Sequence, residues 1–165
     1  VVDDLVLHQL RGRSVPGQDV GSGVHGCTVA RLAWASVPVQ WSSPVRYVEC
    51  DQQGIVFNAH YLTWADEASY PWWEAHGLPW DELVASGVDP VVKASSLEWS
   101  SSARFGDTVT VDAETEQVGR TSVTVRFTVR VGERVCCVVR TTYVCITPAG
   151  KAPWPDDVRA RLTAG

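Results

Sequence analysis

The stretch Asp51-Gln52-Gln53-Gly54-Ile55-Val56-Phe57-Asn58-Ala59-His60-Tyr61-Leu62-Thr63-Trp64-Ala65-Asp66 passes from a turn into a helix, and the fold is read outward from it. Asp51-Gln52-Gln53-Gly54 fits a type I turn, with Asp first and Gly fourth. Taken alone, those four residues read as an ordinary turn. From Ala59 to His76, the residues Tyr61, Ala65, Ala68, Trp72 and Ala75 recur at steps of four and three. They predict one apolar helix stripe, with Asp66, Tyr70 and Glu74 on the opposite side. Gly77 and Pro79 supply the stop. Pro71 lies inside this span, removes one backbone hydrogen bond and predicts a kink near Glu67.

Downstream the period changes to two. Val109, Val111 and Ala113 alternate with Thr110, Asp112 and Glu114. Val123, Val125, Phe127, Val129 and Val131 alternate with Thr124, Arg126, Thr128 and Arg130, so both runs read as half-buried antiparallel strands. Val118-Gly119-Arg120-Thr121 joins them as a hairpin, and Gly132-Glu133 is a two-residue turn with Gly first. Arg134 to Thr147 is the last strand, and Pro90 to Ser100 is a strand before these. Upstream, Val37 to Val48 reads as the first strand, with Pro38 and Pro44 placing it at an edge or bulge. One apolar helix face needs one sheet to cover it. The expected class is therefore α+β, a curved antiparallel sheet of about five strands packed on one long helix. Residues 1–36 carry scattered glycines and no sustained period, and read as a loose N-terminal extension to a domain spanning residues 37–165.

Composition narrows the function classes. A chain of 165 residues suits one domain with a core that needs no disulfide or metal. A net charge of -5 does not attract nucleic acid, and no basic helix is visible. Cys27, Cys50, Cys136, Cys137 and Cys145 are odd in number and lack metal-ligand spacing, so they read as free thiols in a reducing compartment. No metal is expected, because His8, His25, His60 and His76 do not cluster with them. Asp3 and Asp4 do not suit a signal-peptide start, and the apolar run from Cys27 to Val39 is too short to span a bilayer. The expected location is cytoplasmic, with no membrane partner. Trp64, Trp72, Trp73, Trp80 and Trp99 are candidates for an acyl pocket, although Trp at helical spacing more often fills a core.

The chemistry starts where the helix starts. The first N–H groups of a helix, here near Asn58 and Ala59, lack internal partners and carry the positive end of the dipole. They form a ready site for an oxyanion. A carboxylate seven residues upstream, on a compact Gly-containing loop, sits close to that site. The run Asp51, Gly54, Ile55, Val56 and Tyr61, with Gly77-Leu78-Pro79 after the helix, resembles the 4-hydroxybenzoyl-CoA thioesterase family, in the branch with a D-x-x-G-[IV]-V motif. The resemblance covers roughly Pro44 to Ala160. It implies a hotdog fold, a thioester of coenzyme A or acyl carrier protein as substrate, and no metal or organic cofactor. The family's motif Asp falls on Asp51, and its carbonyl-polarising backbone amide falls on Asn58.

The same resemblance extends substrate-binding roles to Gly54, His60, Tyr61, Asp66 and Arg120. Many members place His before Asn in this turn, whereas here Asn58 comes first and His60 follows. Asp66 stands where a second branch carries its catalytic acid on the helix; as a lone charge it reads as a solvated face. Arg120 is the one Arg in a hairpin where relatives place basic residues for the nucleotide phosphates of coenzyme A. A thioester needs a nucleophile or an activated water plus oxyanion stabilisation. Its thiol leaving group, with a pKa of about 8.5, departs without a strong acid. One carboxylate and one helix start therefore suffice. The expected function is acyl-CoA thioester hydrolysis, with Asp51 as nucleophile or general base. The alternatives are a thioesterase for carrier-protein-bound chains and a non-catalytic acyl-CoA-binding domain. A homodimer or homotetramer is expected, because Arg134 to Thr147 is apolar on both faces and family members place the acyl group between protomers.

Overall fold

The computed structural model describes residues 39–164, which fall in one compact unit. The extension read over residues 1–36, with Cys27, His8 and His25, lies outside the described residues. The elements are β1 (Val39–Pro44), a 3-10 turn (Tyr47–Glu49), α1 (Ala59–Ala75), α2 (Trp80–Ala85), β2 (Asp89–Trp99), β3 (Thr108–Val118), β4 (Ser122–Val131), β5 (Arg134–Thr147), β6 (Gly150–Lys151) and α3 (Asp156–Ala164). The strands form an antiparallel sheet in the order β1-β3-β4-β5-β2, with β6 paired to β5. No helix among the described residues is long and apolar enough to cross a membrane.

The two-residue period does place one face inward. Val109, Val111, Val123, Val125, Phe127, Val129 and Val139 are fully buried. They form one core with Tyr61, Trp64, Ala65, Ala68, Trp72 and Trp73 of α1. The expected stripe is corrected at its end: Ala75 is exposed, while Trp64 and Trp73 are buried. The stripe is wider than steps of four and three because the curved sheet reaches around both flanks of the helix. α1 runs continuously through Pro71. Gly132 takes φ +55° between β4 and β5, and no non-Gly residue among those described has positive φ, which is the pattern of a two-residue turn with Gly first.

The first strand is shorter than expected. It stops at Pro44 because Arg46 N–H turns away to the Glu49 carboxylate, 2.7 Å distant, and Tyr47–Glu49 closes into the 3-10 turn. The short helices α2 and α3 have no counterpart in the sequence pattern. α2 spans only six residues and buries one of them, Leu83; α3 is anchored by Val158 and Leu162, one helical turn apart. Cys136 and Cys137 are both buried, although neighbours in a strand alternate faces. Cys136 is the unpaired residue of a bulge in β5, where Val129 pairs with Cys137 and Arg130 with Val135, and its carbonyl accepts the Ser100 and Ser101 N–H groups.

β5 bears on the expectation of a partner chain. Its inward residues Val139 and Tyr143 meet the core. On the opposite face Val144 and Ile146 are already 6% and 5% exposed within one chain. The two-sided apolarity of this strand is therefore explained at that end by its own chain, and it does not by itself call for a second subunit.

His76 caps α1 and predicts a pH dependence. Its Nδ1 lies 2.8 Å from the Trp72 carbonyl, and its Nε2 lies 3.3 Å from Thr115 Oγ1 on β3. Burial holds the imidazole below its ordinary value of 6.5, and the Trp72 carbonyl offsets only part of this. The unfolded chain therefore binds this proton more readily than the folded one. Stability from this group is complete above 6.5 and is lost as pH falls through 6.5 towards the folded value. We expect the urea midpoint to fall between about pH 7 and about pH 5, and His76→Gln to flatten that slope. Identical slopes in the two proteins would remove His76 as the cause.

Candidate active site

The turn read from Asp51-Gln52-Gln53-Gly54 is present and carries more structure than a surface loop. Gly54 N–H donates to the Asp51 carbonyl at 3.0 Å, closing the four-residue turn. Asp51 N–H donates to the Ile55 carbonyl at 2.8 Å, and Cys50 pairs with Val56 as an antiparallel bridge. The loop is thus a small hairpin in which a type I turn is followed by Gly54 at φ +71°, the conformation a left-handed bulge requires. Asp51 Oδ1 accepts the Gln53 N–H at 2.8 Å, which locks the side chain onto its own turn. Asp51 Oδ2 accepts no hydrogen bond from the described residues.

The hairpin hands directly over to α1. Phe57 N–H donates to the Glu49 carbonyl and Val56 N–H to the Ala103 carbonyl, at 2.8 Å and 2.9 Å. Asn58 precedes α1 in helical geometry, and its side chain makes no capping bond. Among the described residues, the N–H groups of Asn58 and Ala59 find no protein acceptor. Asp51, Gln53, Ile55, Val56, Phe57, Asn58, Tyr61, Trp99 and Ser102 line one cleft of about 350 Å³. It therefore holds a half-buried carboxylate with one open oxygen, a helix start, and aromatic walls from Phe57, Tyr61 and Trp99. The Tyr61 hydroxyl accepts the Ala103 N–H at 2.9 Å, and its ring meets Trp99 edge-on, with centroids 6.3 Å apart. Burial raises the Tyr61 hydroxyl above its usual range, so it stays neutral there.

Of the residues singled out in the sequence, Asp51, Asn58 and Tyr61 meet in this cleft, and Gly54 shapes its rim. His60 does not line it; its ring stands edge-on to Phe57 at 6.3 Å. Asp66 lies about 10 Å further along the helix axis. It is exposed, yet partial burial, with Glu67 adding, raises its carboxyl above the usual range. Arg120 is exposed in the β3–β4 hairpin. β1 ends beside Thr108 at the start of β3, so within one chain Arg120 sits at the far end of that strand, roughly 30 Å from the cleft. Trp99 and Ser102 reach the cleft through tertiary structure. Of the Trp residues, Trp64, Trp72 and Trp73 fill the core, and Trp99 is 50% exposed at the cleft. No group of three or more His, Cys, Asp or Glu among the described residues could hold a metal ion.

Gly54 gives a sharp test of the hairpin. A Cβ placed there meets nothing within 4 Å, so a larger residue has space and the cost is conformational. A β-branched residue in left-handed geometry costs about 1–2 kcal/mol, enough to re-aim a short turn without unfolding the domain. Gly54→Val is expected to lower turnover more than stability, whereas Gly54→Asn, which tolerates this conformation, keeps most of both. Rate assays beside urea unfolding decide it; unchanged kinetics in the Val variant would show that the hairpin does not set the geometry.

The chain as a whole is similar to known proteins. Residues 53–138 match the thioesterase superfamily, a span that begins two residues after Asp51. A crystal structure of a hypothetical protein from Thermus thermophilus superposes with TM-score 0.71 at 26% identity, covering 76% of this chain and 97% of that one. A thioesterase from the same organism, crystallised with coenzyme A and zinc, gives 0.69 at 24%, covering 79% and 96%. A 1,4-dihydroxy-2-naphthoyl-CoA thioesterase from Synechocystis gives 0.68 at 19%, covering 77% and 96%. No curated protein matches the chain by sequence.

Proposed function

The chain belongs to the thioesterase superfamily, as a thioester hydrolase with the hotdog fold, and from that premise we propose that it hydrolyses acyl-CoA thioesters with Asp51 as the reacting carboxylate. The observation that carries this reading is the shared cleft of Asp51 and the start of α1. The substrate carbonyl accepts hydrogen bonds from the unpaired Asn58 and Ala59 N–H groups, where the helix dipole stabilises the developing oxyanion. Asp51 Oδ2 then either attacks the carbonyl carbon, giving a mixed anhydride that water hydrolyses to the free acid, or takes a proton from a water that attacks the carbonyl. The thiolate leaves without a dedicated acid. Phe57, Tyr61 and Trp99 supply an apolar, aromatic wall for the acyl group. Two solved relatives act on or bind coenzyme A compounds by name, which supports CoA as the thiol half. The test is thiol release measured over aromatic, short-chain and long-chain acyl-CoAs beside a carrier-protein thioester. Turnover of the carrier-protein thioester alone would favour the second reading, which the remote position of Arg120 supports. No turnover with retained acyl-CoA binding would favour a binding domain.

A homo-oligomer completes the proposal. Among the described residues β2 is an edge strand paired only with β5, and it leaves Val92 48% exposed along its length and Trp99 50% exposed at the cleft. An open edge with exposed apolar residues pairs readily with another chain. Sedimentation at micromolar concentration is expected to give a dimer or tetramer, with protomers joined along this edge. A fully active 18.0 kDa monomer would end the idea.

A further inference from the structure

We propose that Glu49 is a positioning residue of the thioester site, holding the Asp51 hairpin and the start of α1 in register with each other. The inference rests on the reading of Asp51 as the reacting carboxylate. Glu49 lies two residues before Asp51, and it is 2% exposed, whereas Asp51 is only half-buried. Its carboxylate is fully engaged. Arg46 N–H donates to Oε2 at 2.7 Å, and Arg46 Nε and Nη2 donate to Oε1 at 3.2 Å and 2.8 Å. The Trp64 indole, from the second turn of α1, lies close to it and favours its charged form. Arg46 and Trp64 are the charged and polar side chains that face it. The Glu49 carbonyl accepts the Phe57 N–H.

One residue therefore grips α1 through its side chain and, through its backbone, the residue just before Asn58. Everything between Glu49 and Phe57 is the hairpin that carries Asp51. Asp51 cannot move relative to the Asn58 and Ala59 amides unless one of these contacts gives. Burying a carboxylate is costly, and an apolar residue of similar volume would hold the fold at least as well. A carboxylate differs in fixing direction: it accepts several donors at set angles. Burial pushes the Glu49 carboxyl up, but the Arg46 guanidinium and N–H, with Trp64, together hold it below the usual range. It stays ionised, and so keeps all of these donors.

The first test is Glu49→Gln, which turns an amide NH2 towards donors and loosens the clamp at almost constant volume. Because a displacement of about 1 Å can cost on the order of 100-fold, turnover is expected to fall about 10- to 100-fold with KM changed less than about threefold. In an Asp51→Asn background the same substitution is expected to cost less than about threefold more, since no reacting carboxylate remains to be aimed. Unchanged turnover, or an equal cost in both backgrounds, overturns the positioning role. If Asp51→Asn alone leaves most activity, the Asp51 reading fails and this inference falls with it. If Asp51→Asn abolishes activity while Glu49→Gln does not, only the positioning role fails.

Arg46→Gln keeps the test open should Glu49→Gln not fold. The Arg46 side chain is 67% exposed, so its loss spares the core. It leaves Glu49 buried without its counter-charge, ready to take a proton at higher pH. The acid limb of the turnover profile is expected to move up by about one pH unit, with activity recovered at higher pH. The move should vanish in the double variant Arg46→Gln, Glu49→Gln. Profiles that superimpose on the parent overturn the proposal.

Discussion

Asp51→Asn is expected to lower turnover at least several hundredfold while the substrate still binds, the order lost when one positioned transition-state group of ~100-fold or more is removed together with its charge. Asn is isosteric, and its side-chain oxygen still accepts the Gln53 N–H that Asp51 Oδ1 accepts at 2.8 Å. The hairpin, with its Gly54–Asp51 and Asp51–Ile55 backbone bonds, should therefore survive the change. What disappears is the open Oδ2 as a nucleophile or proton acceptor. Loss should appear in turnover and not in KM, because Phe57, Tyr61 and Trp99 are untouched. The control is Asp66→Asn. Partial burial, and then Glu67, raise the Asp66 carboxyl, which is how a general acid or base on the helix would be tuned. If Asp66→Asn abolishes activity and Asp51→Asn does not, the reacting carboxylate belongs to α1.

Trp73→Ala is expected to be the most destabilising single change in the core. Trp73 is fully buried. Its ring meets Trp72 edge-on at 4.7 Å and Tyr143 at 5.6 Å, and lies 6.2 Å from Trp80 and 6.3 Å from Trp154. It therefore ties α1 to α2, to β5 and to the segment before α3. Emptying such a site costs about 3–5 kcal/mol, a large part of the roughly 5–15 kcal/mol that holds a domain folded. Trp73→Phe gives the sharper test. The Trp73 indole N–H is buried with no hydrogen-bond partner among the described residues. Removing it forfeits no bond and relieves an unpaired donor. The Phe variant should lose well under half of what the Ala variant loses in urea unfolding. Equal losses would mean that Nε1 has a partner after all, or that the ring edge cannot repack.

Much of the fold was legible because its signals are local. β3, β4 and β5 alternate with a clean period of two, and the turn at Gly132 needs the positive φ that Gly supplies. The limits of α1 follow from its stripe and from Gly77. The errors came where a neighbour in space overrides a local preference. Val37 to Val48 alternates well enough for a strand, yet Glu49 captures the Arg46 N–H and folds the last residues into a turn. α3 has too little periodicity of its own, and it forms because Val158 and Leu162 find the core. Ala75 fits the stripe but is left exposed, while its neighbour His76 makes the contact to β3. Glu49 gives no local signal, since nothing in Tyr47-Val48-Glu49 says that this acid is buried and its neighbours are not.

By itself, the sequence determined the strand periods, the helix, the Asp51–Gly54 turn and the approach of that turn to a helix start, because each depends on residues within a few positions of one another. Only the tertiary structure decided which residues share the cleft. Trp99 and Ser102 join Asp51 because β2 and the loop before β3 end beside the hairpin, where the Ala103 carbonyl accepts the Val56 N–H and the Ala103 N–H donates to the Tyr61 hydroxyl. Arg120 is carried away by the length of β3 for the same kind of reason. The order of strands across the sheet, which no local pattern encodes, sets which ends of the chain meet.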